Sequence, residues 1–211
     1  MKYLLFDLDG TLANSSKGIK AAFRYTFSSL QLSLPSDKEL STFIGPPLEV
    51  TFAQFFQEKK DIDLAIKHFR TYYNNKGVHQ TSLYPGIPTL LKELKNLDYD
   101  LFVTTSKYEP MANLMLTELG IIDYFIAVYG STPAHYHKAD VIAACIKKES
   151  LSKLETIIIG DTKFDIIGGK KTGIKTLGVT WGFGLQKDFK ASGADIICQQ
   201  PLDIKKALES L

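Results

Sequence analysis

The spacing of apolar residues changes along the chain, and the changes divide it. Tyr3-Leu4-Leu5-Phe6 is an unbroken apolar run of strand length that ends in Asp7-Leu8-Asp9-Gly10. From Asn14 the period becomes helical. Ile19, Ala22, Phe23, Thr26, Phe27 and Leu30 recur at helix spacing, with Asn14, Ser15 or Ser16 available as caps. Pro35-Ser36-Asp37 opens a short helix, with Glu39 three residues after Ser36 as in a capping box. Gly45-Pro46-Pro47 reads as a loop, because proline lacks a backbone donor and disfavours helix in the residue before it. Leu48 to Phe56 and Ile62 to Tyr73 carry two further amphipathic patterns. The block 14–82 therefore reads as all-helical, with no strand.

Beyond Tyr84-Pro85-Gly86 the rhythm is β-α-β. Strands are predicted over 100–105, 125–129, 155–160, 175–180 and 194–198. Helices are predicted over 87–97, 110–119, 139–148, 165–172 and 201–211. Apolar strands alternating with helices predict an α/β fold, a Rossmann-like parallel sheet with helices on both faces. The expected organisation is a core of residues 1–13 and 83–211 with a helical insert, residues 14–82, hung from the loop after the first strand.

Composition narrows the setting. A chain of 211 residues with 45% hydrophobic and 23% charged residues has the balance of a globular protein with a real core. A net charge of +2 gives no footprint for a nucleic-acid polymer or a membrane surface. Cys145 and Cys198 stand singly in a helical and a strand pattern, which fits buried thiols in a reducing, cytoplasmic setting. There is no basic leader with an apolar stretch behind it and no 18-residue apolar run. No repeat or low-complexity segment occurs.

Candidate chemistry gathers at the strand ends. In an extended chain residues two apart point to one side, so Asp7 and Asp9 aim at one place, and Gly10 lets the chain turn without a Cβ clash. Two adjacent carboxylates repel unless a cation or a proton lies between them. Open parallel sheets bind ligands beyond the carboxyl ends of their strands. There the later strands deliver Thr105-Ser106-Lys107, then His135, His137 and Lys138, then Gly160-Asp161 with Asp165 one turn further on. A dianionic phosphate needs such a set: a hard cation held by oxygens, hydroxyl donors, a lysine and a nucleophile. On this reading Asp7 attacks phosphorus, Asp9 moves the proton, Mg²⁺ sits among Asp7, Asp161 and a backbone oxygen near Asp9, and Thr105, Ser106 and Lys138 hold the phosphate. Each part also has a plainer role. Asp-Leu-Asp-Gly suits a solvated turn, Asp161 and Asp165 suit a helix start, and His135 and His137 suit a solvated loop. A calcium loop of the EF-hand kind would need oxygen ligands through its twelfth position, and Thr11 to Ser16 do not supply them.

The ordered set Asp7-Leu8-Asp9-Gly10-Thr11, Thr105, Lys138 and Gly160-Asp161 with Asp165 resembles the haloacid dehalogenase superfamily of phosphatases across essentially the whole chain. The resemblance implies that Asp7 is the nucleophile and Asp9 the general acid/base. It implies that Thr105 and Lys138 bind phosphate, that Asp7, Asp9 and Asp161 are magnesium ligands, and that Asp165 supports the metal site. The helical insert looks like that superfamily's C1 cap, with Gly10, Ser106, Gly45 and Pro46 on the substrate side and Gly45-Pro46-Pro47 as a loop closing over the leaving group. An acid at position 9 points to phosphate rather than halide chemistry. Phe43-Ile44-Gly45-Pro46-Pro47-Leu48, Thr105-Ser106-Lys107 and Gly178-Val179-Thr180-Trp181-Gly182-Phe183-Gly184 resemble the phosphoglycolate phosphatase and 5′-nucleotidase group, although Ser106 stands where phosphoglycolate phosphatases usually carry Asn. The implied partner is a small phosphorylated metabolite, acted on by a monomer or weak dimer. A sugar phosphomutase of the same superfamily and a non-enzymatic, receiver-like phosphate-binding protein are the alternatives.

Overall fold

The computed structural model describes residues 1–46, 48–132, 135 and 137–211. It divides into two compact units, Met1–Asn14 with Ser82–Leu211, and Ser15–Thr81.

In the first unit the apolar run becomes β1 (Tyr3–Phe6), with Leu4, Leu5 and Phe6 fully buried. The chain then runs through β2 (Ala13–Asn14) and, after the second unit's residues, β3 (Ser82–Leu83), α5 (Ile87–Asn96), β4 (Asp100–Tyr108), α6 (Glu109–Glu118) and β5 (Ala127–Ser131). It continues through α7 (Lys138–Lys148), β6 (Thr156–Gly160), α8 (Lys163–Thr172), β7 (Lys175–Val179), α9 (Gln186–Ala191), β8 (Ile196–Cys198) and α10 (Asp203–Glu209). The six-stranded sheet has the order β5-β4-β1-β6-β7-β8, and every pairing in it is parallel. Strands buried on both faces read as continuous apolar runs, and β6 is buried from Thr156 to Gly160. The chain winds outward from β1 to one side through β4 and β5, and to the other through β6, β7 and β8. The carboxyl end of β1 is thus the point where the winding reverses, the place where open α/β sheets form ligand crevices.

Two strands escaped the sequence pattern. Ala13 pairs with Leu83 and Asn14 with Ser82 in a two-residue antiparallel ribbon, too short for a period of two to register. β4 also continues past Thr105 to Tyr108. Thr104 lies opposite Tyr129 and Tyr108 opposite Ser131, so β4 carries extra residues across that span, as in a bulge.

The second unit holds α1 (Ser16–Ser29), α2 (Asp37–Thr42), α3 (Leu48–Phe52), α4 (Lys59–Tyr72) and a π-turn at Tyr73–Gly77. Its core is aromatic. Phe23 packs against Phe43, Phe52 and Phe69 with ring centroids 5.2, 5.5 and 4.7 Å apart. The Ser36–Glu39 capping box forms as its spacing predicts. The helical pattern into Tyr73 ends instead in the π-turn, where Val78 N–H reaches the Tyr73 carbonyl at 2.8 Å. α1 approaches this turn closely, since a Cβ on Gly18 would overlap the Gly77 carbonyl. Among the described residues no helix is long and apolar enough to cross a membrane. Cys145 and Cys198 are buried and unpaired, and burial pushes both thiols up, to about 12 and about 11.

Candidate active site

Asp7 follows the last residue of β1 and extends its ladder, its N–H bonding the Ile159 carbonyl at 2.9 Å. The next residues fold back at once. Gly10, at φ +89°, donates to the Ala13 carbonyl. A Cβ here would overlap the Asp161 carboxylate, so glycine serves both the left-handed turn and the close approach of two loops.

Lys138, the first residue of α7, is 6% exposed and surrounded by acceptors. Its ammonium donates to Asp7 Oδ1 at 2.6 Å and to the Thr104 carbonyl at 2.7 Å, and it pairs with Asp165 Oδ1 at 2.7 Å. Asp165 is free to do this because only its Oδ2 is used to start α8, accepting from Thr162 N–H and Thr162 Oγ1. The plainer reading of Asp165 as a helix-start acid therefore holds for one oxygen and the site claims the other. Asp161 is fully buried. Its Oδ2 accepts from Phe183 N–H at 2.7 Å and its Oδ1 from Thr11 Oγ1 at 3.3 Å.

Charge is crowded here. Burial, opposed by Lys138 and aided by Asp165 and Asp9, lifts the Asp7 carboxyl to about 6. Burial and the nearby Asp7 and Asp165 raise Asp161 well above the usual carboxylate range. Burial alone would lower Lys138, but Asp165 and Asp7 more than offset it and keep the ammonium charged. Oxygens of Asp7, Asp161 and Asp165 lie within 4.8 Å of one another. Three buried carboxylates against one ammonium form a set short of positive charge. All-oxygen donors are what a hard divalent cation takes, so the trio fits Mg²⁺. Asp9 stands outside this trio, and its Oδ2 pairs with Lys107 Nζ at 2.9 Å.

The remaining predicted residues fall as follows. Thr105 is buried, and its Oγ accepts from Lys107 N–H at 3.2 Å, which leaves the hydroxyl proton to be donated elsewhere. Ser106 is exposed beside it. His135 turns back on Thr132, its N–H bonding the Thr132 carbonyl at 3.1 Å, and His137 precedes α7 with its N–H on Asp140 Oδ2. Gly45 (exposed, φ +107°) and Pro46 (half-buried) lie in the second unit; Pro47 lies outside the described residues. Sequence reasoning placed Lys107 on the strand-end rim and Gly178 to Gly184 within the resemblance, but gave neither a catalytic or binding role. In the loop after β7, Gly182 and Gly184 let the backbone close on Asp161, where a Cβ on either would overlap that residue, and Trp181 Nε1 donates to the Thr11 carbonyl. The spaced glycines following a buried strand were the available signal.

Comparison with known proteins agrees with this geometry. A family profile described as haloacid dehalogenase-like hydrolase matches residues 4–179. A curated 5′-nucleotidase of Pseudomonas aeruginosa is 31% identical over 98% of this chain and 95% of its own length. A phosphoglycolate phosphatase of Aquifex aeolicus is 28% identical, covering 100% of this chain and 98% of its own. Among solved structures, the haloacid dehalogenase-like family hydrolase SP0104 of Streptococcus pneumoniae superposes with a TM-score of 0.95 at 42% identity, over 98% of both chains. A strand-end Asp7 gripped by a buried lysine, four acids on one sheet rim and a match spanning nearly the whole sheet lead to one statement: this chain belongs to the haloacid dehalogenase-like hydrolases.

Proposed function

We propose that this protein is a Mg²⁺-dependent phosphatase that hydrolyses small phosphomonoesters through an aspartyl phosphate on Asp7, with phosphoglycolate or 5′-nucleotides as the substrate type. The observation that carries the reading is the Lys138 ammonium fixed between Asp7 and Asp165 at the end of the central strand. It holds Asp7 in one orientation and sets a positive charge where a phosphate would meet it. The names borne by the Pseudomonas and Aquifex relatives support the substrate type.

In the first step an Asp7 oxygen bonds to phosphorus as the bond to the leaving oxygen breaks. The proton of Asp9 goes to that oxygen and the alcohol departs. In the second step water gives a proton to the Asp9 carboxylate and bonds to phosphorus. The Asp7–phosphorus bond then breaks, inorganic phosphate leaves, and Asp9 again carries its proton. Thr105 and Ser106 donate hydrogen bonds to phosphate oxygens and Lys138 balances their charge. Asp7 and Asp161 would hold Mg²⁺ with Asp165 beside them, and Asp9 would take part as the family resemblance implies. When bound, the ion supplies positive charge that offsets the repulsion between carboxylate and phosphate. Gly10 keeps the loop against Asp161, and the Gly45–Pro46 turn is assigned to selection of the leaving group.

The test is phosphate release from phosphoglycolate, nucleoside monophosphates, sugar phosphates and p-nitrophenyl phosphate, with Mg²⁺ and with EDTA. Release that requires Mg²⁺ and favours one of the first two is expected. A Pro46→Ala variant should reorder the panel while leaving p-nitrophenyl phosphate little changed, and an unchanged ranking would remove Gly45 and Pro46 from the substrate assignment. No release from any member would overturn the phosphatase reading.

A further inference from the structure

The proton-transfer residue Asp9 is held from one side only. Its Oδ2 is in an ion pair with Lys107 at 2.9 Å, while its Oδ1 is buried with no hydrogen-bond partner. A buried carboxylate oxygen without a partner is costly unless something arrives to use it. Lys107 reaches Asp9 from an irregular stretch of β4. The span of β4 between Thr104 and Tyr108 is out of register with β5, and it is this bulge that carries Thr105, Ser106 and Lys107. Bulges beside sites re-aim side chains in this way. The Lys107 side chain is only 9% exposed, so its charge is directed inward rather than solvated. The same residue's N–H donates to Thr105 Oγ at 3.2 Å.

We propose that Lys107 is a positioning residue for proton transfer: its ammonium holds Asp9 by Oδ2, so that Oδ1 is the atom that gives the proton to the leaving oxygen and later takes one from water. The inference rests on the phosphatase reading above and goes beyond it. The geometry serves both steps. When Asp9 is protonated on Oδ1, Oδ2 is its carbonyl oxygen and still accepts from the ammonium. When Asp9 is ionised, Oδ2 keeps the pair and Oδ1 remains open. The carboxyl plane therefore need not turn between acid and base duty, and avoided reorganisation is one source of rate. Through its backbone, Lys107 also ties the phosphate-side hydroxyl of Thr105 to the same bulge.

Leaving-group dependence separates this role from simple support of the fold. A proton donor matters for an alkoxide leaving group and little for p-nitrophenolate, which departs as a stable anion. Because kcat/KM covers the steps up to departure of the alcohol, it isolates the first transfer. Lys107→Met should lower kcat/KM for ethyl phosphate by about 100-fold, within the range of general acid catalysis, and for p-nitrophenyl phosphate by less than about threefold. Asp9→Asn should show the same asymmetry more strongly. Lys107→Arg, which can still pair with Oδ2, should recover much of the ethyl phosphate rate, and inhibition by inorganic phosphate should be unchanged in Lys107→Met. The ratio between the two substrates does not depend on the fraction of folded protein, and Lys107→Gln gives the same reading should the methionine variant not fold.

Equal losses on both substrates, or weaker inhibition by inorganic phosphate, would overturn the inference by making Lys107 a phosphate ligand or a structural residue. If the unsubstituted protein released phosphate from neither ester, the phosphatase reading would fall and this inference with it.

Discussion

Asp7→Asn is expected to lower kcat on the order of 10⁴-fold or more while making the protein harder to unfold at pH 7 in EDTA. A carboxamide keeps the shape and can accept from Lys138, but it cannot form the acyl phosphate. The stability gain follows from the crowding of acids. Burial lifts the Asp7 carboxyl from 3.8 to about 6. A group whose folded value is raised binds its proton more tightly folded than unfolded. Its favourable contribution is complete below about 3.8 and is lost as the pH climbs through about 6. At pH 7 the loss is complete, and two units at about 1.4 kcal/mol each bring it to about 3 kcal/mol. Asparagine has no proton to lose and escapes it, less whatever its weaker bond to Lys138 gives back. Urea unfolding in EDTA should therefore show the variant ahead by about 1–3 kcal/mol at pH 7, with the gap closing below pH 4. Added Mg²⁺ should reverse the order, because a ligand that binds the folded wild type stabilises it. A variant less stable than wild type at both pH values would mean that acid repulsion is not stored at this position.

Lys138→Met is expected to give the largest loss of stability of any substitution considered. Removing one member of a buried ion cluster leaves its partners uncompensated, a loss of about 3–5 kcal/mol. Here the orphans are Asp7 and Asp165, with Asp161 buried beside them and the Thr104 carbonyl left without its donor. For a chain of this size that corresponds to a fall in Tm of about 10 °C. What remains folded should turn over about 10²–10³-fold more slowly, the usual effect of removing one preorganised donor. Lys138→Arg should rescue little. A planar fork cannot meet three acceptors converging on one ammonium. The deficit of the methionine variant should shrink at pH 5, where Asp7, already raised by burial and no longer opposed by the ammonium, takes up a proton. A deficit equal at pH 5 and pH 7, measured by urea unfolding, would point to lost packing rather than lost charge.

Features set by local pattern were legible in the sequence. The apolar run into Asp7 is a strand, the alternation after Tyr84 is a parallel sheet, and Ser36 to Glu39 is a capping box, because each depends on neighbours within a few residues. The converging ends of β1, β4 and β6 and the start of α7 also followed, since strand ends in a parallel sheet share one rim. Features that depend on distant partners were not legible. Asp165 reads as a helix-start acid or a support of the metal site, and its ion pair with Lys138 through the second oxygen appears only in the fold. Nothing near Lys107 in sequence announces a register shift against β5, which is a property of two strands rather than one. The six residues of α9 have little apolar period of their own and depend on burying Phe189. The π-turn at Tyr73 likewise reflects a backbone approach to Gly18 that no helical period encodes.

The central position of β1 also sets an order of events during synthesis. Its partners β4 and β6 lie roughly 100 and 150 residues downstream, so β1 leaves the ribosome before either neighbour and waits for both. At about 5–20 residues per second the wait lasts from several seconds to about half a minute. Until β4 is out, Leu4, Leu5 and Phe6 have no ladder at all, and until β6 is out one edge of β1 stays open. The block Ser15–Thr81 emerges complete within that interval and draws its packing from within itself, with Phe23 among Phe43, Phe52 and Phe69. The nascent chain therefore passes through a stage in which the helical block is complete while the apolar β1 lacks its β6 neighbour. Binding by a holdase chaperone at residues 1–9 is the expected signature of that stage, ending when β6 is released.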